Sequence, residues 1–317
     1  MPIDPGILAI APMMEKVAPN LDGSVPIAEL RRMTNLTQDT SSMLPPDLTV
    51  PVASVEDRTL DGPAGPLPVR IYRPDAAGPV PTVVFFHGGG FVFCNLNTHD
   101  SQVRLICRDA EAVVVSVDYR LAPDNPFPAG VEDCLWATRW AAEHIDELGG
   151  DAGALAVAGD SAGGNFAAVV SLMARDRAAD GYPSPKIAFQ LLVYPSVDLA
   201  EDGYPSREEN ATGFFLTARH MTWFHEQYVQ GADISDPYLS PIHAPDHSGL
   251  PPACVVTAEH DPLRDEGDAY AAKLAAAGVV VQHLPVEGMF HGFFNLPHPI
   301  ADRTRATAFA AVRAALT

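Results

Sequence analysis

The chain is short of positive charge. Its 317 residues hold 3 Lys and 17 Arg against 26 Asp and 14 Glu, a formal net charge of −20. Phosphate backbones demand a basic footprint, so no nucleic-acid partner is expected. An acidic surface also repels anionic lipid headgroups, which argues against membrane attachment by charge. Long uncharged apolar runs are missing too, and none approaches the roughly 18 residues that cross a bilayer. The apolar run near the N-terminus is interrupted by Pro12 and preceded by Asp4 rather than by basic residues, unlike a secretory signal. Cysteine is scarce: Cys94, Cys107, Cys134 and Cys254 are widely spaced, without a C-x-x-C pair. Reduced thiols in a cytoplasmic protein fit that pattern.

Metal and nucleotide signatures are also lacking. No H-E-x-x-H, P-loop or G-x-G-x-x-G occurs. His243 and His247 lie four apart, but Pro241 and Pro245 spoil a helical ligand pair. The expectation is no metal and no cofactor, with a small, neutral or weakly polar molecule as partner.

What is present can build a core. Hydrophobic residues make up 47% of the sequence, enough to exclude disorder as the dominant state. Short apolar, β-branched runs predict strands over residues 82–86, 112–117, 155–158, 187–194, 253–257 and 279–284. Continuous runs of this kind suit parallel strands covered on both faces. Helical patterns fall near 128–147, 161–177, 263–277 and 302–316, and the alternation predicts an α/β sheet with helices on both sides. Runs at 54–59 and 67–72, separated by Asp61-Gly62-Pro63 and Gly65, predict an antiparallel hairpin ahead of the parallel section. Residues 1–47 and 199–230 stand outside the alternation. In the second, Thr217 is a plausible N-cap for a helix with Met221, Phe224 and Tyr228 on one face.

The chemistry is concentrated in loops after strands. Gly159-Asp160-Ser161-Ala162-Gly163 matches G-x-S-x-G between a predicted strand and a predicted helix. A nucleophile elbow needs small neighbours because its turn is sharp, and the helix behind Ser161 points its N-terminal dipole at developing negative charge. His87-Gly88-Gly89-Gly90 directly follows the strand at 82–86. Consecutive glycines allow backbone N–H groups to converge on an oxyanion. An acid and a histidine should then follow the serine in that order. Asp261 comes after the strand at 253–257, and His291 lies beyond the strand at 279–284. Asp198 also follows a strand and is the leading alternative acid; Asp265 and Glu266 read as solvated helix charges. His99, His260, His283 and His298 are competing histidines.

These residues resemble the hormone-sensitive-lipase-like (family IV) esterases of the α/β-hydrolases. The likeness rests on His87-Gly88-Gly89-Gly90-Phe91, Tyr119-Arg120-Leu121-Ala122-Pro123, Gly159 to Gly164, Tyr194-Pro195, Asp261 to Glu266, and His291-Gly292-Phe293. It covers nearly the whole chain, and the G-D-S-A-G form points to one large branch. The resemblance implies one α/β-hydrolase domain over 1–317, with a mostly parallel eight-stranded sheet flanked by helices and a helical cap built from about 1–47 and 199–230. It implies Ser161, Asp261 and His291 as a triad, and Gly89, Gly90 and Ala162 as oxyanion donors. His87 would order the glycine loop, with Gly88, Gly159, Asp160 and Gly163 as motif support.

The resemblance further implies hydrolysis of short- to medium-chain esters through an acyl-enzyme. An interfacial lipase, an amidase or a thioesterase would use the same constellation. Plant gibberellin receptors resemble this family but lack the catalytic histidine, whereas this chain keeps His291. Phe91, Phe214, Phe215, Met289 and Phe290 are candidates for an apolar substrate pocket. Cys94-Asn95 stands where the family often has Gly-Asp, and Asp124 replaces a common Glu. Cys94 beside the glycine loop would make bulky thiol reagents partial inhibitors. Homodimers are common in the family, and the sequence leaves that open.

Overall fold

A computed structural model describes residues 3–6, 8, 21, 24–39, 49–200, 203–213 and 215–317. Phe214, and part of the 1–47 stretch, lie outside the described residues. Eight strands form one sheet: β1 (Ser54–Gly62), β2 (Gly65–Arg73), β3 (Val80–Phe86), β4 (Val113–Val117), β5 (Gly150–Asp160), β6 (Phe189–Val193), β7 (Ala253–His260) and β8 (Val281–Phe290). Their spatial order is β1-β2-β4-β3-β5-β6-β7-β8. The hairpin β1–β2 and the β2–β4 pair are antiparallel; every pairing from β4 through β8 is parallel.

Side chains alternate across the sheet as a period of two demands. Along β3, Val84 and Phe86 enter one core layer, whereas Val83 and Phe85 enter the other. Residues that share a register row continue each layer: Val84 beside Val115 and Val157, and Val83 beside Val114 and Ala156. The first layer is closed by α1 (Ala129–Glu143), α2 (Ala162–Ala179) and α3 (Arg264–Ala276), through residues such as Val131, Phe166 and Leu274. The second is closed by α4 (Asp100–Asp109) and α5 (Pro299–Leu316), through Val103, Ile106, Ala308 and Phe309. Burial on both faces explains the unbroken valine runs that the sequence presents in the central strands.

Three elements differ from the sequence expectation. The helix predicted over 128–147 ends at Glu143, and a separate turn of helix covers Ile145–Leu148. The helix Asp100–Asp109 was not anticipated, because its buried Val103, Ile106 and Cys107 are diluted by polar neighbours. The last strand begins at Val281 and continues through Pro285 to Phe290. Proline is tolerated there because β8 is the sheet edge and one side of it makes no ladder bonds.

Two further helices pack over the C-terminal ends of the parallel strands: α6 (Ile27–Gln38) and α7 (Ala218–Val229). The Thr217 hydroxyl caps α7 by accepting the His220 N–H at 3.2 Å. Tyr228 of α7 stacks on Phe91 with ring centroids 3.9 Å apart, and Trp223 stacks on Phe93 at 5.8 Å. Each such pair contributes about 0.5–1.5 kcal/mol beyond burial. The α6 helix is held by Arg31, whose Nε donates to the Val92 carbonyl at 2.8 Å, and whose guanidinium also meets Ala122 and Asp124.

Candidate active site

The elbow is built at the end of β5. Ser161 has φ 57° and ψ −118°, a conformation that costs an L-residue about 1–3 kcal/mol and persists only when its surroundings enforce it. The enforcement is close packing. A Cβ on Gly163 would run into the carbonyl of Phe86, and one on Gly159 into the carbonyl of Gly163. The Ser161 N–H donates to the Val193 carbonyl at 2.9 Å, tying the turn to the neighbouring strand. Behind it, α2 begins at Ala162, whose first-turn amides lack intrahelical acceptors and carry the positive end of the dipole.

His291 follows β8 directly and Asp261 follows β7, so all three side chains sit at C-terminal strand ends, where ligands bind in open α/β sheets. His291 Nε2 is 2.9 Å from Ser161 Oγ, and His291 Nδ1 is 2.7 Å from Asp261 Oδ2. Asp261 is fully buried, and its other oxygen accepts the Leu263 N–H at 2.8 Å. Held in this way, the carboxylate fixes Nδ1 as the protonated nitrogen and leaves the Nε2 lone pair for the serine.

Asp198, the rival acid, serves a different cluster. It accepts from Tyr204 Oη at 2.8 Å and lies 2.9 Å from His243 Nε2. Burial works to raise its pKa, but those hydrogen bonds outweigh it and hold the carboxyl below its ordinary value. The competing histidines also have other neighbours: His283 lies 2.9 Å from Asp268, and His298 lies 3.2 Å from Asp4. His260 is 3.8 Å from Glu259.

The glycine loop stands opposite the elbow. Gly89 at φ 116° and Gly90 at φ 60° adopt backbone states that favour glycine. Side chains are excluded there as well, since a Cβ would strike the Phe93 carbonyl at Gly89 and the Phe224 ring at Gly90. His87 is fully buried and stacks on Tyr119 at 4.2 Å. Burial, reinforced by His99, pushes its pKa down to about 3, so the imidazole is neutral. Nδ1 then donates to the Gly88 carbonyl at 2.7 Å, while Tyr119 Oη donates to the His87 carbonyl at 2.7 Å. Asp160 fastens the loop from the elbow side, accepting the Gly88 N–H at 3.1 Å, and lies 3.4 Å from His99 Nε2. Burial alone would raise the Asp160 pKa; the His99 field and hydrogen bond, helped by His87 and Gly88, hold it low.

Gly89, Gly90, Asp160, Ser161, Ala162 and His291 share the wall of one cavity of about 340 Å³. Of the predicted pocket aromatics, Phe91 and Phe215 line it. Met289 and Phe290 do not. Because β8 runs on to Phe290, both are strand residues, 0% and 1% exposed, buried with Phe293 and Phe294 in the second core layer. Phe214 lies outside the described residues. Sequence reading also missed Thr34, Gln38, His220 and Asn295, which line the cavity without belonging to any motif.

Cys94 lines the cavity beside Gly89, but burial pushes its thiol up to about 12. Thiolate is therefore scarce at neutral pH, and slow modification is expected there. Among the described residues, no group of three or more His, Cys, Asp or Glu is placed to hold a metal ion. Nor is any helix among them long and apolar enough to cross a membrane.

Comparison with known proteins identifies the family. The profile of the α/β-hydrolase fold matches residues 83–295. Carboxylesterase NlhH of Mycobacterium tuberculosis is 46% identical over 281 residues, covering 86% of each chain. Carboxylic ester hydrolase LipN of the same organism is 48% identical over 246 residues, which are 76% of this chain and 65% of LipN, just under two thirds of its length. A hyperthermophilic esterase from the archaeon Pyrobaculum calidifontis superposes with a TM-score of 0.88 at 40% identity, covering 99% of each chain. The chain belongs to the α/β-hydrolase fold family, in its hormone-sensitive-lipase-like (family IV) esterase branch.

Proposed function

We propose that this chain hydrolyses short- to medium-chain carboxylic esters through an acyl-enzyme on Ser161, with His291 as base and Asp261 as its orienting acid. Carboxylic ester hydrolysis is carried by family membership and by relatives named for that activity. The single observation behind the finer reading is the continuous Ser161–His291–Asp261 chain, with contacts of 2.9 and 2.7 Å, opening onto the cavity beside the glycine loop.

His291 Nε2 takes the Ser161 proton as Oγ attacks the ester carbonyl, and Asp261 stabilises the resulting imidazolium. The N–H groups of Gly89, Gly90 and Ala162 receive the oxyanion; a single donor of this kind is worth about 10²–10³ in rate. Collapse expels the alkoxide, which leaves with the proton from His291. Water, deprotonated by the same histidine, then attacks the acyl-enzyme and returns the serine. The cavity lies at the small end of the usual range of about 300–1,000 Å³, which favours short acyl chains over long ones. We further propose that the 1–47 and 199–230 segments form the cap over this site, and that the partner is a small neutral ester.

A chain-length series of p-nitrophenyl esters from acetate to palmitate tests the reading. Maximal kcat/KM should fall between acetate and octanoate, with an initial p-nitrophenol burst where deacylation limits. A maximum at palmitate that requires an oil–water interface would make the chain a lipase. Absence of turnover on every ester would refute the proposal.

A further inference from the structure

The α7 helix bridges the two halves of the catalytic cavity. Midway along it, Phe224 presses against Gly90 of the glycine loop. Near its N-terminal end, the Phe215 ring lies against Gly292, the residue after His291, and the Phe215 carbonyl is 3.1 Å from His220 Nδ1. A carbonyl only accepts, so Nδ1 carries the proton and Nε2 presents a lone pair. Burial lowers the His220 pKa, with the Phe215 bond opposing and Arg219 adding to the fall, so the ring is neutral at physiological pH. The helix N-terminus, with its positive dipole end, reinforces that state. His220 lines the cavity, and among the described residues no group bonds to its Nε2. Phe215, Leu216 and Met221 line the same cavity, whose polar lining includes Gln38, His225 and Asn295.

An acceptor on a mostly apolar wall selects for a ligand that brings a donor, because a ligand without one leaves the nitrogen unsatisfied. Its place in the reaction follows from these two contacts. The oxyanion faces the Gly90 contact, while the departing alcohol must lie beside His291, which gives it a proton. His220, bonded to the Phe215 carbonyl one turn before Phe224, stands on the side of Gly292 and His291.

We infer that His220 accepts a hydrogen bond from a hydroxyl on the alcohol portion of the ester, so that the favoured substrates are monoesters of diols or polyols. This rests on the esterase reading above. A matched pair isolates it: 2-hydroxyethyl butyrate and propyl butyrate share an acyl group and differ by hydroxyl against methyl. Acid release in a pH-stat gives kcat/KM for each without a chromophore on the alcohol. The wild type should prefer the hydroxyethyl ester about 5-fold, the discrimination expected of one net neutral hydrogen bond. His220→Phe should bring the ratio to about one, whereas His220→Gln, which can place an amide oxygen at the ε position, should retain it. A wild-type ratio of one or less, or a preference that survives in His220→Phe, overturns the inference while leaving the esterase reading intact. Hydrolysis of neither ester by the wild type refutes that reading, and the inference with it.

Discussion

Replacing Gly163 by alanine sets two effects of opposite sign against each other. Gly163 is the second residue of α2, and helix propensity alone would make the alanine variant about 0.5–1 kcal/mol more stable. The packing predicts the reverse. The new Cβ would overlap the Phe86 carbonyl and come within 2.7 Å of the His87 carbonyl oxygen, both backbone atoms at the root of the glycine loop. Backbone has no rotamer by which to withdraw, so the elbow and the loop must separate. Overpacking of this kind costs about 1–3 kcal/mol. Less the propensity gain, the net is a loss of up to about 2.5 kcal/mol, or a fall in Tm of up to about 4 °C for a domain of this size. The effect on turnover should be larger, because separation moves Ser161 away from the amides of Gly89 and Gly90. Misplacement near 1 Å costs about 10²-fold. The assay is kcat on p-nitrophenyl butyrate with a thermal melt of the same sample. Gly153→Ala serves as the reference, since its Cβ would meet nothing closer than 3.4 Å, and should leave stability unchanged or raise it by up to about 1 kcal/mol. A Gly163→Ala enzyme with raised Tm and undiminished kcat would refute the claim that contact between elbow and loop shapes the site.

Asp261→Asn should lower kcat by about 10⁴ through the wrong imidazole tautomer, whereas Asp198→Asn should leave kcat within a few-fold and lower the Tm, as both variants assayed side by side will show. His87 has a folded pKa of about 3, below its unfolded value of 6.5. Its contribution to stability is therefore complete above pH 6.5 and is lost as pH falls toward 3. His87→Asn, which keeps a donor near the Gly88 carbonyl but cannot titrate, should flatten the urea-denaturation slope in that window by up to about 1.4 kcal/mol per pH unit. An unchanged slope would contradict the neutral assignment. Labelling of Cys94 by a maleimide should be slow at pH 7 and accelerate steeply in alkali, in keeping with a thiol raised to about 12; rapid stoichiometric labelling at pH 7 would disprove that environment.

The legible parts of the molecule are those where chemistry or burial restricts residue type. Strands covered on both faces must be apolar throughout, so Val83 to Phe86 and Val113 to Val117 announce themselves. The elbow and the glycine loop are readable because only glycine survives where backbones touch, as at Gly163 and Gly89. Chain order and strand ends favoured Asp261 with Asp198 as its alternative, and in the structure Asp261 is the one that meets the histidine beside Ser161. Edge strands obey weaker rules. The extension of β8 through Pro285 and Gly288 is hidden by residues that usually end strands, which is why Met289 and Phe290 were misread as pocket walls. The α6 and α7 faces carry no such restriction, and nothing local marks His220 or Gln38 as cavity residues.

The whole mechanism turns on Ser161 as the nucleophile. Treatment with a p-nitrophenyl alkylphosphonate tests it directly, because attack forms one Ser161 Oγ–P bond and expels one p-nitrophenolate. One equivalent of p-nitrophenol per chain is expected, with loss of activity in proportion and the added mass confined to the peptide carrying Ser161. Equal labelling of Ser161→Ala, or a mass increment on any other residue, would contradict it.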